Sequence, residues 1–250
     1  MELFGHTRTR AARDHALISP DSFVQSPLPG WTKTMGIILI APAMGARFTQ
    51  YLALMECDAC MGPPAPGVER AFYVLEGTLT LNRHGMETQH LHAGWYGYIP
   101  PDVDVSLTAN TSCRLNLFEK RYQAIAGAAT PGVIIADSAT VQGKPFLGDS
   151  DAILQVLLPD VPSFDLAMNV FRFQPGAALP LVEIHVMEHG LLMLEGQGVY
   201  RLGDDWYPVK AGDVIWMKSF CPQWFVAMGK TPAAYLYYKD VNRDPLGLTV

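Results

Sequence analysis

One unit of sequence occurs twice in this chain, and that repeat limits the folds open to it more than any other feature. "AFYVLEGTLTL" (Ala71 to Leu81) matches "GLLMLEGQGVY" (Gly190 to Tyr200), with Leu-Glu-Gly in both. "LHAGWYGYIP" (Leu91 to Pro100) matches "VKAGDVIWMK" (Val209 to Lys218), each with Ala-Gly before an apolar run. "LNLFEKRY" (Leu115 to Tyr122) matches "YLYYKDVN" (Tyr235 to Asn242), so the blocks recur about 119 residues apart. Ahead of the first block lie further short β-rich runs, "MGIILIA" and "RFTQYLALM", and Gly, Pro, Asn and Asp set such runs apart. Many short strands joined by turns predict a sandwich or barrel, here present in two copies.

A chain of 250 residues with 49% apolar and 17% charged side chains can bury two such cores. The predicted fold is all-β, two tandem antiparallel jelly-roll barrels. The first occupies 1–122 and includes an N-terminal arm. Residues 123–150, rich in Ala, Gly, Pro and Ser, connect it to a second barrel over 151–250. A net charge of −6 argues against a nucleic-acid partner, and no basic run suggests a membrane surface. "MELFGHTRTRAARDH" has no secretory apolar core, and "MGIILIAPAMGA" is too short to span a bilayer, so a cytoplasmic protein is expected. Cys57 and Cys60 form an isolated C-x-x-C without a second pair, which predicts reduced thiols at a strand end.

The repeat also serves as an internal control. "VEIHVMEHG" packs Glu183, His185 and His189 into one short stretch, and the positions matching them in the first half are Pro64, Pro66 and Arg70. Gln223 in "CPQWF" falls on Val105. A polar cluster present in one copy alone belongs to function rather than to the fold. Glu183, His185 and His189 share one parity, which on a strand places all three on the inner face. A carboxylate and two imidazoles on one inner face make a metal-ligand set. Glu188 has the opposite parity and is expected to face solvent. His84, His90 and His92 read as exposed hairpin residues, and His6 and His15 as surface residues of the arm.

A glycine after a strand, then an Ala-Gly turn and an apolar strand ending near proline, resembles the cupin fold, and two copies make a bicupin. In cupins a fourth ligand comes from a later strand, where Gln223 stands. More specifically, "FDLAMNVFRFQPGA", "EIHVMEHG", "LEGQGVYRL", "WYPVKAGDVIWM", "PQWF" and "YLYYKDVNRDP" resemble the (S)-ureidoglycine aminohydrolase family, manganese-dependent bicupins of allantoin (purine) catabolism. "ERAFYVLEG" and "GWYGYIPP" resemble that family's metal-free barrel.

The resemblance implies that Glu183, His185, His189 and Gln223 bind Mn2+, and that Tyr200, Tyr235 and Lys239 face the substrate. Fe2+, Zn2+ or Ni2+ would suit the same mixed O/N donors. The implied reaction is hydrolytic deamination of ureidoglycine to ureidoglycolate and ammonia, with Glu183, Lys239 and Tyr200 as candidate catalytic groups. Lys239 also has a plainer reading as a strand-end lysine, matched in the first half by Lys120. Two rivals stand beside this one: another metal cupin enzyme, a dioxygenase or isomerase acting on a small carboxylated substrate, and a non-catalytic binding bicupin. In each case the partner is a small molecule, and self-association into a homo-oligomer is expected.

Overall fold

The computed structural model describes residues 7–244. The described chain is a succession of antiparallel strands with three single-turn 3-10 helices, and the expected all-β jelly-roll architecture is present. The chain divides into two compact units, one over Val24–Thr140 and the other joining the residues up to Phe23 with those from Val141 onward.

In the Val24–Thr140 unit the long sheet runs in the order Ile134–Asp137, Trp95–Ile99, Val68–Glu76, Cys113–Arg121, Thr49–Met55, Thr34–Ile40, Ser26–Pro27. A short sheet of Ser106–Ala109, Thr78–Asn82 and Gln89–His92 faces it. Alternate residues of these strands make a largely aliphatic core: Phe72 and Val74, Leu79 and Leu81, Leu115 and Leu117, with Tyr51, Leu91, Ile99 and Leu107. Period-2 patterning is what turns one face of each strand inward.

The other unit repeats the plan. Its long sheet is Arg10–Ala11, His15–Ile18, Val214–Met217, His189–Glu195, Ala233–Asp240, Leu166–Phe173, Asp149–Val156, Lys144–Phe146. Its short sheet is Asp205–Lys210, Gln197–Leu202, Gln223–Ala227. This core is aromatic: Phe171, Phe173, Tyr200, Phe225 and Tyr235 contact one another with ring centroids 4.6–6.2 Å apart.

The Leu-Glu-Gly repeat has a backbone reason. Gly77 and Gly196 sit at φ +88° and +70°, where a Cβ would stand 2.4 Å from the Ser112 carbonyl oxygen and 2.3 Å from that of Pro232. Only glycine turns the strand there without a clash. The glutamate before each glycine pairs outward across the sheet, Glu76 with Arg114 and Glu195 with Arg172, both at 2.6 Å.

The expected division at 122 and 151 moves, because the segments outside the repeat go elsewhere. Ile134–Asp137, expected in a connector, pairs with Trp95–Ile99 of the first barrel. The matching slot of the second barrel, beside Val214–Met217, is filled by His15–Ile18 from the chain's beginning. Val214–Met217 is buried along its whole length, so its outer N–H and C=O groups need a partner strand. The arm is further held by a bidentate pair, Arg8 Nη1 and Nη2 donating to Asp213 at 2.7 and 2.6 Å. His15 is therefore buried rather than a surface residue, with ring nitrogens 2.9 Å from both Asp14 Oδ1 and the Tyr207 hydroxyl. His6 lies outside the described residues. Cys57 and Cys60 are free and exposed just past the end of Thr49–Met55, and His84, His90 and His92 are exposed.

Candidate active site

Of the four sequence-selected residues, His185, His189 and Gln223 meet side chain to side chain, and Glu183 lines the same cavity beside Gln223, though not along one strand. Residues 183–188 form a loop, and the strand begins only at His189. Glu183 is placed by a single two-way bridge to Gln223: each backbone N–H donates to the other's carbonyl, at 2.9 and 3.0 Å. Gln223 opens the strand Gln223–Ala227, so the bridge sets the two side chains side by side. The His185 carbonyl accepts the Phe220 N–H at 2.7 Å. Strand parity was thus the wrong reason for the convergence; a loop pinned at Glu183 and His185 achieves it.

The imidazole nitrogens are already sorted. His189 Nδ1 lies 3.1 Å from the Tyr238 carbonyl oxygen and His185 Nδ1 3.2 Å from that of Met187. A carbonyl only accepts, so both Nδ1 atoms carry the hydrogen and both Nε2 atoms present lone pairs. Those two Nε2 atoms are 3.1 Å apart, and the Gln223 side-chain amide is 2.9 Å from His185 Nε2. Two bare imidazole nitrogens at that separation repel unless a cation lies between them. Gln223 presents its amide nitrogen to His185 Nε2; turned over, its oxygen would add a third lone pair, and Glu183, on the wall of the same cavity, would supply a fourth by swinging inward. This donor set fits a divalent metal such as Mn2+.

Electrostatics agree. Burial pushes His189 down to about 3, with neighbouring His185 acting in the same direction. Burial also lowers His185 and raises the Glu183 carboxyl, an effect Lys239 partly offsets. All three groups feel the Lys239 charge. A cavity of about 140 Å³ opens above them, bounded by Tyr200, Tyr235, Tyr237 and Lys239 on the polar side and by Phe146, Leu154, Phe171 and Leu191 on the apolar side. Burial raises the Tyr200, Tyr235 and Tyr237 hydroxyls, so all three stay protonated. Tyr237 was missed in the sequence, although it stands between Tyr235 and Lys239 with the same parity.

The first barrel shows what the same place becomes without ligands. Pro64, Pro66, Arg70 and Val105, the counterparts of the four, line a cavity of about 380 Å³. Arg70 is buried there, donating to Glu119 at 2.6 Å and to the Gly62 carbonyl at 2.8 Å. Register identifies the equivalences: Arg70 faces Glu119 as His189 faces Lys239. The match of Lys239 to Lys120 was one residue out of step. Glu119 is the true counterpart, so the plainer reading of Lys239 loses its support.

Glu188 is the other correction. It is buried, and its Oε1 accepts the Trp216 indole N–H at 2.7 Å while its own N–H donates to Asp240. The first barrel keeps the arrangement, with Tyr98 donating to buried Glu69 at 2.6 Å. The shared Glu in "VER" and "MEH" was the available signal, and it marks fold rather than chemistry. Asp14, His15 and Cys221 also converge within 4.8 Å, but both nitrogens of His15 already have protein partners, and the group ties the arm down.

A pH dependence follows for metal-free protein. Because the folded state holds His189 near 3 rather than 6.5, the unfolded chain binds more protons between those values. Stability therefore falls as pH drops through that window. Thermal melts of chelated protein at pH 6.5 and 5.0 should show the loss, and His189→Gln should flatten it. An equal slope in that variant refutes the assignment.

Known proteins share the fold and much of the sequence. A cupin domain model matches residues 169–238. The (S)-ureidoglycine aminohydrolase of Arabidopsis thaliana is 45% identical over 98% of this chain and 82% of its own length. The Escherichia coli (strain K12) enzyme of the same name is 35% identical over 92% of this chain and 89% of its own. The crystal structure of protein Ylba from E. coli superimposes with a TM-score of 0.84 at 31% identity, covering 96% of both chains. With likenesses of this strength over nearly the whole chain, the chain belongs to the (S)-ureidoglycine aminohydrolase family.

Proposed function

We propose that this protein is a metal-dependent hydrolase that converts (S)-ureidoglycine and water to (S)-ureidoglycolate and ammonia, with Glu183, His185, His189 and Gln223 holding Mn2+. The observation that supports the metal reading is the pair of Nε2 lone pairs 3.1 Å apart at the cavity, only one of them met by a protein donor, the Gln223 amide. A metal held by these residues would offset the negative charge of the substrate and help to orient it.

The chain's own groups do the rest. The substrate carbon bears a carboxylate, an amine and a ureido nitrogen. Ammonia departs as the ureido nitrogen lends its lone pair, and water then adds to the C=N carbon. The Lys239 ammonium binds the carboxylate or delivers a proton to the leaving amine. Glu183, whose carboxyl burial raises toward neutrality, takes a proton from the incoming water. Tyr200 and Tyr235 hold the ureido group, and the small cavity restricts competing water.

The same reading covers partner, assembly and compartment. The substrate is a small molecule. Exposed Leu181, Ile184 and Phe220 suit self-association into a homo-oligomer. Four free cysteines suit the reducing cytoplasm, and no helix among the described residues is long and apolar enough to cross a membrane.

Ammonia release from freshly generated ureidoglycine, before and after chelation and again after adding Mn2+, tests the reading. Release that is lost on chelation and restored by metal is expected. No metal-dependent release refutes it. Glu183→Gln with metal retained and turnover intact removes Glu183 from the proton transfers.

A further inference from the structure

We propose that Tyr237 contacts the carbamoyl end of the substrate and that Asn169, behind it, is the positioning residue that aims its hydroxyl. The inference rests on the activity proposed above and adds a specificity element to it.

Tyr237 lines the cavity with Glu183, His189 and Lys239. Its ring is held on three sides: edge-on to His189 at 5.6 Å, edge-on to Tyr235 at 5.8 Å, and nearly parallel to Phe171 at 6.5 Å. A ring so confined presents its hydroxyl in one place. Asn169 is its direct cross-strand partner and is only 2% exposed. The Asn169 amide lies within reach of the Tyr237 hydroxyl, and its carbonyl oxygen has no hydrogen-bond partner. Asparagine is disfavoured inside strands, and a buried amide oxygen left unpaired is destabilising. A hydrophobic residue would serve packing better at this position.

The first barrel supplies the control. Its cross-strand pair at the same place is Tyr51 with Leu117, and Leu117 faces Phe72 as Tyr237 faces Leu191. The Asn–Tyr pair, like the ligand cluster, occurs only in the barrel that carries the ligands.

Spacing and chemistry indicate what the pair reads. Two residues along a strand separate Tyr237 from Lys239, roughly 7 Å. That matches a short molecule with a charged end at Lys239 and a neutral, planar end at Tyr237. A carbamoyl group offers one C=O and several N–H groups. A protonated phenol donates to the first and accepts from the second, which an apolar residue cannot do.

The test uses two unreactive ligands on the Mn2+-loaded full chain, measured calorimetrically: N-carbamoylglycine and N-acetylglycine, which differ at the end in question. Wild type is expected to prefer the carbamoyl compound by about tenfold, the worth of one or two neutral hydrogen bonds. Tyr237→Phe should bring the two affinities within about twofold of each other, with metal content unchanged. Asn169→Leu should lower the preference in the same direction and raise KM for ureidoglycine more than it lowers kcat. A preference that survives Tyr237→Phe, or a wild type that does not discriminate, overturns the proposal. Failure of the activity itself looks different: no ammonia release from ureidoglycine, with the ligand preference intact.

Discussion

His189→Ala should lower kcat/KM for ammonia release by roughly a thousandfold. A bound metal contributes several kcal/mol of charge stabilisation, and each ~1.4 kcal/mol is a factor of ten in rate. Of the proposed ligands, His189 has the least freedom to be replaced. It is buried, its Nδ1–H is committed to the Tyr238 carbonyl, and its Nε2 has no protein donor to satisfy it. Alanine leaves a gap on the floor of the cavity that neither His185 nor Gln223 can span. Elemental analysis of the purified variant should show lost metal, and added Mn2+ should not restore the rate. His90→Ala, an exposed histidine of the other barrel, is the matched control and should be silent. A His189→Ala enzyme that keeps both its metal and its rate refutes the site.

The second large effect falls on stability. Arg70→Met removes the buried partner of an ion pair and strands Glu119, 21% exposed, whose carboxylate keeps the Tyr51 hydroxyl at 2.9 Å, so the loss falls at the low end of the range for buried pairs. Breaking a buried pair from one side costs about 3–5 kcal/mol, whereas replacing both partners with apolar groups is often neutral. Arg70→Met should therefore unfold at clearly lower denaturant, and Arg70→Met with Glu119→Leu should recover most of the loss. Metal content and ammonia release at 25 °C should survive in both, because the pair lies in the barrel without ligands. An unchanged denaturation midpoint in Arg70→Met refutes the account.

The barrels were legible because jelly-roll strands write themselves in period-2 patterns and the chain writes them twice. The ligand set was legible through asymmetry, since nothing in a barrel requires Glu183, His185, His189 and Gln223 where the sister copy has Pro64, Pro66, Arg70 and Val105. What the sequence hid was any placement decided by a distant partner. "HALI" carries no sign of whose edge it completes, so His15 passed for a surface residue. Glu188 passed for one too, because parity was applied along a loop where no strand runs. Lys239 was aligned one residue out of step, because block matching tolerates a slip that a hydrogen-bonded ladder does not. Asn169 gave no signal at all; its meaning comes only from the strand beside it.

The completion of the second barrel by His15–Ile18 has a consequence for how the protein is made. His15–Ile18 pairs with Val214–Met217, a strand made roughly 200 residues later. At 5–20 residues per second, that first strand waits on the order of 10–40 s for its partner. The residues from Val24 to Thr140, a compact unit of their own in the structure, are synthesised in the interval. Such distant pairing is slow because a long loop must close before any contact rewards it. Closing this barrel therefore waits for synthesis through Met217, and a chain lacking His15–Ile18, even one carrying Glu183, His185, His189 and Gln223, leaves the Val214–Met217 edge uncovered.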